Sequence, residues 1–135
     1  MKAILIDPKQ RSLTEIDIKD GDSHEEIVAA IECRLMCVGT YLDDNDAVFI
    51  DDEGLLYDQR DQYFFRLDDR VINTTNTQIL AGRGLVLGSN RYDGSSRDAQ
   101  VSIEKLSEAI RWVGRGRSVV YPNRIEVVLE DGGER

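Results

Sequence analysis

The 135-residue chain carries 17 Lys and Arg against 26 Asp and Glu, a formal net charge of −9, with 41% hydrophobic residues. That length fits one domain, able to bury roughly two thirds of the surface its unfolded chain exposes, so no disulfide framework is needed. Four apolar residues ahead of Asp7-Pro8 are too few for a signal-peptide core or a membrane span, and no later run comes close, so a soluble, cytoplasmic protein without membrane contact is expected.

"KAILI", closed by Asp7-Pro8, and "SLTEIDI", with Thr14, Ile16 and Ile18 on alternate positions, read as a β-hairpin. Gly21 then acts as a breaker before "DSHEEIVAAIECRLM". Ser23 is the expected N-cap and Glu26 its capping-box partner, while Ile27, Ile31 and Leu35 share one helical face as far as Gly39. Cys33 and Cys37 fall on that helix four residues apart, as reduced, buried thiols.

From Asp46 the period becomes extended: "AVFI", "DDEG" and "LLY" predict two strands joined by a turn whose glycine supplies a positive φ. "YFFRL" and "TQILAGRGLVLG" add strand material, with Gly82, Gly84 and Gly88 marking a bulge or a close backbone approach. Residues 89–98 read as a polar loop. Ile103, Leu106, Ile110 and Val113 predict a second amphipathic helix ending at Gly114, and "SVVYP" with "RIEVVL" a final extended pair. The expected fold is therefore α+β: a single domain over residues 1–130, mostly antiparallel sheet with two amphipathic helices, and a disordered tail over 131–135.

Charge is polarised along the chain. Residues 41–70 carry ten acids and three arginines, a net of −7, whereas residues 83–124 carry eight bases and four acids, a net of +4. The acidic stretch fails as an EF-hand, because the register from Asp44 puts Val48 and Phe49, and that from Asp43 puts Ala47 and Val48, where an oxygen ligand and the turn glycine are required. Mimicry of nucleic-acid phosphates is permitted by the charge but weakened by strand alternation, which sends side chains to both faces. Asp43, Asp44, Asp46, Asp51, Asp52 and Glu53 are accordingly read as the rim of an architectural hairpin that offers a docking surface.

Catalytic, cofactor-binding and metal-binding residues are not expected. His24 is the only histidine, no serine sits in a nucleophile turn, and two cysteines and one histidine fall short of a closed zinc site. "GRGLVLG" has G-x-G without the third glycine of a dinucleotide fingerprint. The basic end is more suggestive: Arg111, Arg115, Arg117 and Arg124 lie near Trp112 and Tyr121, and Arg91, Tyr92 and Arg97 add to them. Arginine with aromatics suits phosphate and base binding, and equally a protein interface.

Four segments, "MKAILIDP", "DAVFIDDEGLL", Phe64-Phe65 and "LAGRGLVLG", resemble a family of small proteins of unknown function carried by phages, plasmids and other bacterial mobile elements. The resemblance covers about residues 1–88 and implies a host-interacting or accessory role, with no catalytic residues to transfer. Two expectations follow. The first is a non-enzymatic binding protein acting on a host or defence protein; the alternative is a nucleic-acid-binding accessory protein using segment 111–124.

Overall fold

A computed structural model describes residues 1–20, 22–72 and 78–130. Gly21, the expected breaker, Thr77, the expected start of the "TQIL" strand, and the expected tail 131–135 lie outside the described residues. The elements run β1 (Lys2–Asp7), β2 (Ser12–Asp17), α1 (His24–Ile31), β3 (Met36–Tyr41), β4 (Ala47–Asp51), a 3-10 turn (Gly54–Leu56), β5 (Asp61–Leu67), β6 (Leu80–Ala81), β7 (Gly84–Ser89), β8 (Ser96–Arg97), α2 (Ile103–Ala109), β9 (Ile110–Tyr121) and β10 (Arg124–Leu129). Every paired strand is antiparallel, in two sheets ordered β2-β1-β7-β4-β3, with β8 also on β7, and β10-β9-β5-β6. The α+β expectation holds.

Strand alternation divides the apolar residues among three layers. Ile4, Ile6, Val48 and Val86 from the first sheet meet Phe65, Leu67 and Leu80 from the second, and Leu106 and Ala109 of α2 close this central core. The opposite face of the first sheet places Ala3, Leu85 and Leu87 under Ile27 and Ile31 of α1. The far face of the second gathers Phe64, Ala81 and Val113, with Val127 and Leu129 packed against them. Phe64 and Phe65, consecutive and fully buried, thus serve different cores. A register shift between them opposes Phe64 to Gly114 and Phe65 to Trp112, and Gly114 takes the positive φ of 112° that this bulge requires.

Four local expectations are corrected. Helix α1 ends at Ile31, where Glu32 turns left-handed at φ 56°; Cys33 lies beyond it and Cys37 on β3, so the two cysteines do not share a helical face. The capping box does not form, because Ser23 makes no side-chain cap bond and the Glu26 carboxylate instead accepts from the backbone N–H groups of Lys19 and Asp20. "LLY" is no strand: Gly54 opens a 3-10 turn, and an added Cβ there would lie 3.1 Å from Ala81 Cβ, so close approach rather than positive φ is its role. Helix α2 ends at Ala109, and Ile110 to Val113 belong to β9, whose register sets Ile110 opposite Leu67.

Candidate functional site

The acidic stretch does not form a single rim. β4 separates its two halves by about 16 Å, at roughly 3.3 Å per residue. At one end Asp43 and Asp44 are exposed in the β3–β4 turn, but Asp46 is fully buried. Its carboxylate accepts the Gln100 N–H at 2.9 and 3.1 Å and the Val101 N–H at 2.9 Å, fastening the chain ahead of α2 to β4. Burial pushes the Asp46 carboxyl up from its ordinary value, against the opposing pull of those N–H donors. Asp46 is therefore a structural anchor, which corrects its assignment to a docking surface.

At the other end Asp51 lines an open cleft of about 360 Å³, and Asp52 and Glu53 follow it in the chain without joining that lining. Asp51 Oδ1 accepts the Glu53 N–H at 2.9 Å, and Glu53 takes Arg34 in a two-point pair at 2.7 and 3.1 Å. Asp52 remains exposed. Across the cleft, Asp7 at the end of β1 is only 8% exposed and accepts the Lys9 and Gln10 N–H groups at 3.0 and 3.2 Å. Its second oxygen lies 3.5 Å from Arg83 Nη2, and Arg83 also reaches Glu32 at 3.2 Å and the Ala30 carbonyl at 3.3 Å. Arg83 therefore ties the first hairpin to the C-terminal end of α1, where carbonyl oxygens and the helix dipole favour a cation.

Arg60 differs from these groups. Its guanidinium lies 3.8 Å over the Tyr57 ring, and among the described residues no carboxylate is within ion-pair distance of it. Lys9, exposed on the same lining, has none either. Burial, then the Asp51 carboxylate, push the Tyr57 hydroxyl up, so Tyr57 stays neutral under its cation. The cleft thus holds tied acids and two untied cations. Among the described residues its lining contains no histidine, cysteine, serine or threonine, and sequence reasoning missed it because Asp7, Asp51, Arg60 and Arg83 converge only once β1, β4, β5 and β7 have assembled.

The cysteines border this end without joining the cleft. Burial, then Asp51 and Glu53, push the Cys33 thiol up to about 11; burial, then a hydrogen bond to Asp52, push Cys37 up to about 11. Both stay protonated near neutral pH, unsuited as nucleophiles. No group of three or more metal-ligating side chains converges among the described residues.

The basic segment is largely neutralised within the chain. Arg111 pairs with Asp68 at 2.6 Å, Arg115 with Asp61 at 3.2 Å and Glu130 at 3.5 Å, and Arg124 with Glu126 at 3.0 Å while stacking on Tyr121 at 4.2 Å. Trp112 packs against the central core. Only Arg117 of this group has no ion-pair partner among the described residues. Arg91, Tyr92 and Arg97 lie on the exposed β7–β8 connection and on β8, with Tyr92 91% exposed, apart from β9 and β10 in the sheet order.

Two stacked antiparallel sheets, a helix over the outer face of one, and a polar cleft at one end define the class of domain. Residues 1–111 match the domain of unknown function DUF3846, and the chain belongs to that family. The match runs past the segments that carried the resemblance and stops inside β9, leaving β10 outside it. No curated protein and no solved structure matches the chain. No helix among the described residues is long and apolar enough to cross a membrane.

Proposed function

We propose that the chain is a non-enzymatic binding protein of a phage, plasmid or other mobile element, acting in the cytoplasm on a host or defence protein that it engages at the Asp7–Arg83 cleft. The observation that carries this reading is the contrast within the cleft: its acids are tied to neighbours, whereas Arg60 and Lys9 are available to an incoming group. The partner contributes an acidic side chain to these two cations. Nucleic-acid binding through segment 111–124 has less support, because Arg111, Arg115 and Arg124 already hold carboxylates and a polyanion would meet the surrounding acids.

A pull-down from host lysate tests the reading. The wild-type chain should retain a discrete protein, lost on combined Lys9→Glu and Arg60→Glu but kept on combined Arg115→Ala and Arg117→Ala. Recovery of no partner, or indifference to the cleft variant, would refute it. A mobility shift at low salt that vanishes with the two arginine-to-alanine changes would favour the nucleic-acid alternative.

A further inference from the structure

Among the described residues β10 is an edge strand, hydrogen-bonded to β9 alone. Natural edges are commonly shielded by proline, lysine or a covering element. From Arg124 to Glu130 there is no proline and no lysine, the charged Arg124, Glu126 and Glu130 all fall at even positions, and Ile125 and Val128 are each 38% exposed. The two-residue loop Pro122-Asn123 sets Tyr121 opposite Arg124, and the Glu130 N–H reaches the Arg115 carbonyl at 3.0 Å. In an antiparallel ladder the hydrogen-bonded positions alternate. The N–H and C=O groups of Arg124, Glu126, Val128 and Glu130 therefore face β9, and those of Ile125, Val127 and Leu129 face outward.

We propose that β10 is a self-association edge that pairs antiparallel with β10 of a second copy, about a two-fold axis at Val127. A two-fold perpendicular to the sheet keeps each residue on its own face, so only positions of like parity can oppose. Centred on Val127, the register sets Arg124 opposite Glu130 of the second copy, Ile125 opposite Leu129, Glu126 opposite Val128 and Val127 opposite itself. Both ends become shared ion pairs, in which Arg124 adds Glu130 of the second copy to its own Glu126, and Glu130, already beside Arg115, gains a second arginine. The three outward-bonding residues meet only apolar residues, on the face where Val127 and Leu129 already pack against Phe64, Ala81 and Val113. That core would continue across the junction. Centring on Glu126 instead would oppose two glutamates, and centring on Ile125 would leave Leu129 unpaired. The chosen register also puts Glu126 of the second copy in the lateral row of Val128 and Arg117, the arginine without an ion-pair partner among the described residues.

Sedimentation velocity on the full chain across a concentration series should show reversible dimerisation. Val127→Pro deletes the central outward N–H without touching the β9 ladder, and should be monomeric with an unchanged circular-dichroism spectrum. Arg124→Glu and Glu130→Arg should each weaken self-association roughly tenfold or more by opposing like charges. An equimolar mixture of these two variants should associate again, because a glutamate on one chain then meets an arginine on the other at both ends of the junction. A wild-type chain that is monomeric at every concentration, or single charge variants that associate like wild type, would overturn the proposal. Should Val127→Pro unfold, the rescue in the mixture decides alone.

Discussion

Replacing Asp46 by alanine removes a fully buried carboxylate that accepts two backbone N–H groups, from Gln100 and Val101. The Val101 N–H has no route to water, and leaving such a donor unsatisfied costs about 1–3 kcal/mol. Gln100 is exposed, and its N–H recovers solvent at a loss of about 0.5 kcal/mol. Relief from burying the carboxylate offsets part of this, for an expected net loss of about 2 kcal/mol, a large share of a total stability of about 5–15 kcal/mol. Urea unfolding near neutral pH should show a lower midpoint with an unchanged slope. Asp46→Asn keeps one acceptor and should lose about half as much. Because burial raises the carboxyl above its ordinary 3.8, the folded state holds that proton more tightly than the unfolded chain. The resulting contribution is complete below 3.8 and is lost as pH rises through the folded value, so wild type should lose ground to Asp46→Asn over the range just above 3.8. A loss below about 0.5 kcal/mol for Asp46→Ala, the size of an ordinary surface change, would refute the anchoring role.

The remaining predictions concern the thiols, one glycine and one arginine. With both thiols at about 11 against an ordinary 9.0, native Cys33 and Cys37 should react with Ellman's reagent roughly a hundredfold more slowly than in denaturant, and fast native labelling would contradict that. Gly88→Ala would bring a Cβ to 2.3 Å from the Asp98 carbonyl oxygen, so β8 should separate from β7, with a loss of about 1–3 kcal/mol and faster proteolysis between residues 90 and 98. Arg83→Met keeps a long apolar stem but frees Asp7 and Glu32, and should lower the thermal midpoint while leaving the sheet registers intact by amide exchange.

The first hairpin, the Phe64-Phe65 strand and the glycine-rich β7 were legible because their alternation is local and their turns carry proline or glycine. Ile103, Leu106, Ile110 and Val113 have helical spacing, yet only the first two lie on α2. Pairing of Ile110 with Leu67 and of Trp112 with Phe65 overrides that spacing, a partnership of residues more than forty positions apart that no local period reports. The stretch from Cys33 to Gly39 failed likewise, since Leu35 continues the Ile27–Ile31 series while Glu32 has already turned the chain away. The acidic segment was legible as charge but not as geometry. Its two ends separate along β4, and Asp46 faces inward because its partners, Gln100 and Val101, come from the chain ahead of α2.

The position of β7 governs how this molecule can come into being. β1 with β2 and β3 with β4 are each local hairpins, and among the described residues the one strand joining them, antiparallel to both, is Gly84–Ser89. A nascent chain that has not yet released residue 89 therefore holds two hairpins with no ladder between them, and their apolar faces wait for a strand some eighty residues downstream of β1. Closure over such separations places folding toward the slow, milliseconds-to-seconds end for small domains. Until it occurs, the edges of β1 and β4 that β7 will occupy are open to any other strand, which makes that interval the molecule's period of greatest exposure to misassembly.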